Sequence, residues 1–300
     1  EQNGLTHFAR SSQTSTMPHS FFLFIRVLAT LSLASFLTCS AGGEFTAGDL
    51  AQDYGIAAVA ACGLRTARAQ AGRTFTTGFE QVSDFNGFYI TPSPYQGAVT
   101  HGLSTAQVHG GSNSHLATIS NAATSCTGNC NHRGYPTIQL HKTAAGGMSG
   151  VVFTEFYVYV TMTINDGQWL SLATLTPDSS DAWSRTVLVN VGNLGRTGGG
   201  NYMHLMHVPN QGESGWTYQA GSTNGGTQFP QNQWVKVSIC LDLNPATGWA
   251  KAWMNDVLVS AAPVSGGCGV LEQAHFGLYA PPAISSGVIY NDDLQIREVS

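Results

Sequence analysis

Charge is scarce in this chain of 300 residues. Asp, Glu, Lys and Arg make up only 10% of it, against roughly 25% in an ordinary soluble protein. Twelve Lys and Arg stand against 17 Asp and Glu, a formal net charge of −5. A nucleic-acid binder neutralises phosphates with a basic stripe, and these scattered cations do not form one. A polybasic membrane anchor is excluded on the same ground. No uninterrupted apolar run reaches the roughly 18 residues of a membrane-spanning helix. Several catalytic signatures are also missing. There is no G-x-S-x-G nucleophile elbow. Gly198-Gly199-Gly200 lacks the Lys-Ser/Thr of a phosphate-cradling loop and reads as a hairpin turn. Cys126 and Cys130 beside His132 fall short of the four ligands of a structural zinc site. Helical periodicity of useful length is absent.

What remains is hydrophobic at 42%, rich in glycine with 35 residues, and patterned with a period of two. The hydrophobic share is enough to bury a sizeable core. The amino-terminal region reads as processing. Met17 opens it, Arg26 precedes an apolar run from Val27 to Leu37, and small residues follow from Thr38 to Gly43. These are the parts of a secretory signal. The expected division is an upstream segment over 1–16, a signal peptide over 17–41, a linker or poorly ordered lead-in over 42–78, and one β domain over 79–300. A secreted, periplasmic or cell-surface location follows. Cys39 is weighed as a lipid-attachment site. In an oxidising compartment Cys126 with Cys130, and Cys240 with Cys268, are the expected disulfides, which leaves Cys62 over.

The clearest strand runs from Val152 to Ile164. Val152, Thr154, Phe156, Val158, Val160, Met162 and Ile164 share one face. Phe153, Glu155, Tyr157, Tyr159, Thr161 and Thr163 share the other. Further strands are expected over 79–90, 135–142, 184–191, 201–208, 233–243, 248–260, 271–280 and 286–298, among others, with Gly, Asn, Pro and Ser between them. Strands in this number predict an all-β, two-sheet antiparallel jelly-roll sandwich. Tyrosines on a polar face offer flat rings for sugar stacking and hydroxyls for hydrogen bonds. Tyr157, Tyr159, Trp216, Gln139 and His204 are therefore the expected carbohydrate contacts on a concave outer face.

Two stretches carry a resemblance. Gln233-Trp234-Val235-Lys236-Val237 leads to Leu241-Asp242-Leu243 and a hairpin from Gly248 to Val259, turning at Asn255-Asp256. A closing strand spans Val288 to Ile296. This pattern is similar to the concanavalin A-like lectin/glucanase (laminin-G-like) domains. The E-x-D-x-x-E strand of their laminarinase-type glycosidases is missing, since Glu155 stands alone. The resemblance implies that the first and last strands pair and hold a structural calcium, with Glu80 and Asp292 or Asp293 supplying carboxylates and backbone carbonyls completing the shell.

A second likeness is to alginate-lyase-type polysaccharide lyases. Tyr135 to Lys142 contains a Q-x-H strand, with Gln139 and His141 on one face. Tyr202 to Gln211 resembles the tyrosine-bearing strand, although Pro209 occupies the tyrosine's place. The R-x-E-x-R strand is missing. The resemblance implies β-elimination: Gln139 and Arg185 on the uronate carboxylate, His141 as base, and Tyr202 or Tyr157 as acid. Three readings stand open at this point. The chain is a polysaccharide-binding module, a polysaccharide lyase, or a structural or adhesion domain without a sugar site.

Overall fold

The computed structural model describes residues 62, 72–81, 88–90, 98–123, 130–179, 185–192, 200–208, 217–219, 227–264 and 267–299. The expected signal peptide, Cys39, Cys126 and Trp216 lie outside them. Among the described residues the only helical element is a 3-10 turn over Leu140–Lys142. None of their helices is long and apolar enough to cross a membrane.

The strands in chain order are β1 (Thr74–Thr77), β2 (Phe88–Ile90), β3 (Val99–Ser104), β4 (Ser114–Ile119), β5 (His132–Gly134), β6 (Pro136–Gln139), β7 (Met148–Ser149), β8 (Val151–Met162) and β9 (Trp169–Thr176). They continue with β10 (Thr186–Gly192), β11 (Tyr202–Val208), β12 (Thr217–Gln219), β13 (Trp234–Asp242), β14 (Trp249–Met254), β15 (Val257–Pro263), β16 (Val270–Leu271), β17 (Gln273–Ala280) and β18 (Gly287–Glu298). Sheet A has the order β15-β14-β13-β8-β18-β4-β3, with β1 also on β18. Sheet B has the order β12-β11-β10-β9-β17-β6-β2, with β5 also on β17. All pairings are antiparallel, which is the two-sheet sandwich that the period-two pattern predicts.

The core forms where the apolar faces meet. On β8 the even-numbered residues from Val152 to Met162 are buried, and the hydrophobic ones pack into the central cluster. Their alternation requires that face to leave water. Phe156 of sheet A meets Phe276 of sheet B edge to face at 5.0 Å, joining the two layers at their centres. The hairpin between β14 and β15 turns at Asn255 and Asp256, both at positive φ (49° and 67°). Asn and Asp tolerate that region better than most residues, so Asp256 serves where glycine is usual. Asn255 Oδ1 also accepts a hydrogen bond from the Lys236 amide.

Three boundaries differ from expectation. The domain begins before residue 79: β1 pairs with β18, and Arg73 holds Glu298 through its Nε and Nη2. The lead-in expected over 42–78 is therefore part of the sandwich from Gly72 onward. Cys62 is joined to Cys240, not left over, and the expected Cys240–Cys268 pair does not form. Cys130 and Cys268 are also disulfide-bonded. The Cys62–Cys240 bond sits in a cluster with Phe153, Trp249, Trp253 and Val299. Burial among these rings favours Cys62 as the partner of Cys240. Finally, the strand expected over 135–142 stops at Gln139, because the chain turns into the 3-10 element there.

Candidate functional site

The outward side of sheet B carries polar rows, bordered on β10 and β11 by an apolar cluster of Leu188, Met206 and Val208 against Tyr279. Its register lines up three transverse rows. Gln139 of β6 faces Gln273 of β17, which faces Thr176 of β9. In the next row Thr137 faces His275, His275 faces Thr174, and Thr174 faces Leu188. In the third, Arg133 of β5 faces Tyr279, Tyr279 faces Ser171, Ser171 faces Asn190, and Asn190 faces His204. Strict alternation would place Ser171 on the face of Ala173. A bulge in β9 at this point turns it outward. A second irregularity separates Phe276 from Tyr279. Gly277 sits within it at φ 141°, and a Cβ there would lie 2.7 Å from the Gly134 carbonyl oxygen. Only glycine lets β17 pass so close to β5.

These polar groups are buried: His275 is 6% exposed, Gln139 8%, and Thr137, Thr174 and Asn190 no more than 4%. The hydroxyls of Thr137 and Thr174 and the side-chain oxygen of Asn190 find no hydrogen-bond partner among the described residues. Leaving a buried polar atom unmade costs about 1–3 kcal/mol. Groups kept at that cost on a face turned away from the core mark a place where a polar ligand is expected.

Around His275 the chemistry is concentrated. The Tyr135 ring stacks on the imidazole with centroids 3.8 Å apart. Tyr279 stands 6.2 Å from it and packs edge to face on Trp169 at 5.0 Å. The Arg133 guanidinium lies 5.4 Å from the Tyr279 ring centre. Asn131 Nδ2 donates to the Tyr279 hydroxyl at 2.9 Å. Gln139 accepts from Lys142 Nζ at 2.8 Å, and Gln273 Nε2 donates to the Asp178 carbonyl at 2.7 Å. Burial, and secondarily the Arg133 charge, holds the His275 pKa well below the ordinary histidine value. Its imidazole is therefore neutral at physiological pH.

Of the residues singled out in the sequence, Gln139 belongs to this set and His204 lies on the same face toward the β11 edge. His141 is not on the strand. It sits in the 3-10 turn, with Nδ1 3.2 Å from the Glu272 carbonyl and 3.9 Å from its carboxylate. Arg185 precedes β10 at φ 57°, outside the strand whose Val187 and Val189 are buried in the core. Tyr202 starts β11, three strands from β17. At about 4.8 Å per strand that is roughly 14 Å from the His275 row, too far for a shared proton transfer. Tyr157 and Tyr159 stand on the outer face of sheet A, on the other side of the sandwich from Gln139. The single sugar face expected from them divides in two.

His275 and Tyr279 join this polar set without having been singled out in the sequence. Their signal was present: Gln273-Ala274-His275 is a second Q-x-H at strand spacing, four residues before a tyrosine of the same parity.

The acidic residues Glu80, Asp292 and Asp293 gather around one loop. Glu80 accepts from the amides of Ser112 and Asn113. Asp292 accepts from those of His109 and Gly110. Asp293 pairs with His109 Nδ1 at 2.6 Å. Burial first, and also the Asp293 charge, raises the Asp292 pKa against the pull of its amide donors. Among the described residues no three His, Cys, Asp or Glu side chains come close enough to hold a metal unaided.

No protein-family profile matches the chain, and no curated protein matches it. Solved structures do. The cellulose induced protein Cip1 is similar, with a TM-score of 0.50 and 15% identity over 74% of this chain and 96% of that one. So is an endo-β-1,4-glucuronan lyase from the fungus Trichoderma reesei, with a TM-score of 0.51 and 14% identity over 71% and 92%. At such identity the likeness is one of fold: the chain is an antiparallel two-sheet jelly-roll sandwich.

Proposed function

We propose that the outer face of sheet B binds a uronic-acid-containing polysaccharide and cleaves it by β-elimination. The observation that carries this reading is the convergence of His275, Tyr279 and Arg133 on adjacent rows, with the amides of Gln139 and Gln273 beside them. The fold neighbours, one of them a lyase by name, support it without deciding it. Arg133 would neutralise the uronate carboxylate, which acidifies the C5 proton. The neutral His275 imidazole takes that proton. The C5–H electrons form the C4=C5 bond, and the C4–O bond to the leaving sugar breaks. Tyr279 gives its phenolic proton to the leaving oxygen, and Asn131 donates to the phenol oxygen so that its hydrogen faces the substrate. One product carries an unsaturated sugar and the other a free hydroxyl.

Binding without cleavage is the second reading, favoured by the unpartnered acceptors at Thr137, Thr174 and Asn190. Ultraviolet absorbance of the unsaturated product separates the two. With glucuronan and alginate as substrates, product is expected, and His275→Gln is expected to lower its rate by about 10²–10⁴-fold. Absence of product on every uronate polymer, with retention in gels containing them, leaves the binding reading. Neither product nor retention overturns both.

Calcium at Glu80, Asp292 and Asp293 is proposed as a structural element, completed by backbone oxygens. It would relieve the repulsion between Asp292 and Asp293. Chelation is expected to lower the melting temperature and added calcium to restore it. An unchanged melting temperature leaves the loop amides as the carboxylates' partners.

A further inference from the structure

The outer face of sheet A carries a row of rings that the reading above does not use. Trp234 of β13, Tyr159 of β8 and Tyr290 of β18 lie directly opposite one another in register. Tyr159 meets Trp234 at 5.8 Å and Tyr290 at 5.9 Å, both edge to face. One step along β8, Tyr157 stacks on His109 at 3.5 Å, and His109 in turn reaches Trp234 at 5.6 Å. All four aromatic side chains are half-buried, and His109 is exposed. The three tyrosine hydroxyls and the indole N–H are engaged by no hydrogen bond among the described residues. A row of rings placed to complete a core would be covered. This one keeps both ring surface and polar edges toward water.

We infer that this row is a second glycan-binding platform, and that it takes an uncharged β-linked glucan. Sugar rings stack on aromatic faces while their hydroxyls meet phenol and indole edges. Adjacent strands lie about 4.8 Å apart, close to the length of one pyranose unit, so three rings present a repeating surface to a chain laid across the strands. The charges beside the rings are paired, Asp293 with His109 and Lys236 with Asp256 at 2.7 Å, so the row presents no cluster of cations to an acidic polymer. The groove on sheet B, with Arg133 and Lys142, has the opposite character. One face would anchor the protein on a neutral wall polymer while the other works on an acidic chain.

The platform can fail while the reading for sheet B stands, and the reverse. Retention by soluble mixed-linkage β-glucan in native gels is the test, with product formation on soluble glucuronan measured in parallel. The wild-type chain is expected to be retarded by the glucan. Tyr159→Ala and Tyr290→Ser are each expected to weaken that retention at least tenfold, with glucuronan product formation unchanged. Tyr159→Phe, which keeps the ring, is expected to retain most of it and controls for folding. His275→Gln is expected to be retained like wild type. No retardation of the wild-type chain overturns the platform. So does retardation that survives both ring removals, or that vanishes in His275→Gln.

Discussion

On sheet A the outward side chains pack mainly on one another, although the buried Trp249 indole N–H has no partner among the described residues. Phe153, Cys240, Trp249, Trp253 and Val299 pack around the bond to Cys62, and the rings of Tyr157, Tyr159, Trp234 and Tyr290 lean on one another or on His109. On sheet B, Thr137, Thr174 and Asn190 hold buried oxygens that nothing among the described residues satisfies. The alternation of strands is the same in both. The difference is in what each outward row contacts. A face built on packed rings and a disulfide contributes stability even where its ring edges meet water. A face that leaves acceptors open gives up stability and keeps binding capacity, the usual exchange at functional surfaces.

That contrast can be broken from either side. The largest effect is expected on sheet A. Replacing both Cys62 and Cys240 by Ser should cost about 2–5 kcal/mol in denaturant unfolding, with product formation on glucuronan unaffected while the protein stays folded. A loss below about 1 kcal/mol would mean that ring packing alone holds this cluster.

Acid comes next, and it acts on buried histidines in both halves. Burial, and then the neighbouring His101 imidazole, pushes the His115 pKa down to about 3. His275 is also depressed, by burial and then by Arg133. The unfolded chain protonates each near pH 6.5. The folded values lie lower, so the stability tied to neutral imidazoles is complete above about pH 6.5 and is lost as pH falls below it. The expected slope is up to about 1.4 kcal/mol per pH unit for each histidine, read from urea midpoints. His275→Gln should remove its share of that slope. A flat profile between pH 6 and 4 would show that water reaches both rings.

The smallest and most pointed change is Thr174→Val, which keeps the shape and deletes an unpartnered hydroxyl. Stability should hold or rise by up to about 1 kcal/mol, while retention by uronate polymers weakens. Lost stability with unchanged retention would assign the hydroxyl to the fold.

The sandwich was legible because β8 declares its two faces residue by residue, and because Asn255-Asp256 marks its turn. The site was less so. Gln139 lies on the outward face of sheet B, but its neighbour His141 falls in a turn that starts where strand alternation stops. His275 and Tyr279 meet Arg133 only through pairing of β17 with β5, residues far apart in the chain. Ser171 faces outward through a bulge that simple parity does not foresee. Tyr157 and Tyr159 were read correctly for face, yet a single strand cannot tell to which sheet it belongs. Cys62 lay in a segment whose Ala-rich composition hides its role as partner to Cys240.

β18 pairs with β8 on one side and β4 on the other, so the last strand of the sandwich in chain order fills the middle of sheet A. Until Gly287–Glu298 has left the ribosome, β8 and β4 each present a bare edge able to join a neighbouring chain. Folding of this layer therefore waits until Gly287–Glu298 has been made. Shortening the chain within this segment would remove an interior strand rather than trim a border, and the expected result is aggregated material instead of a smaller domain.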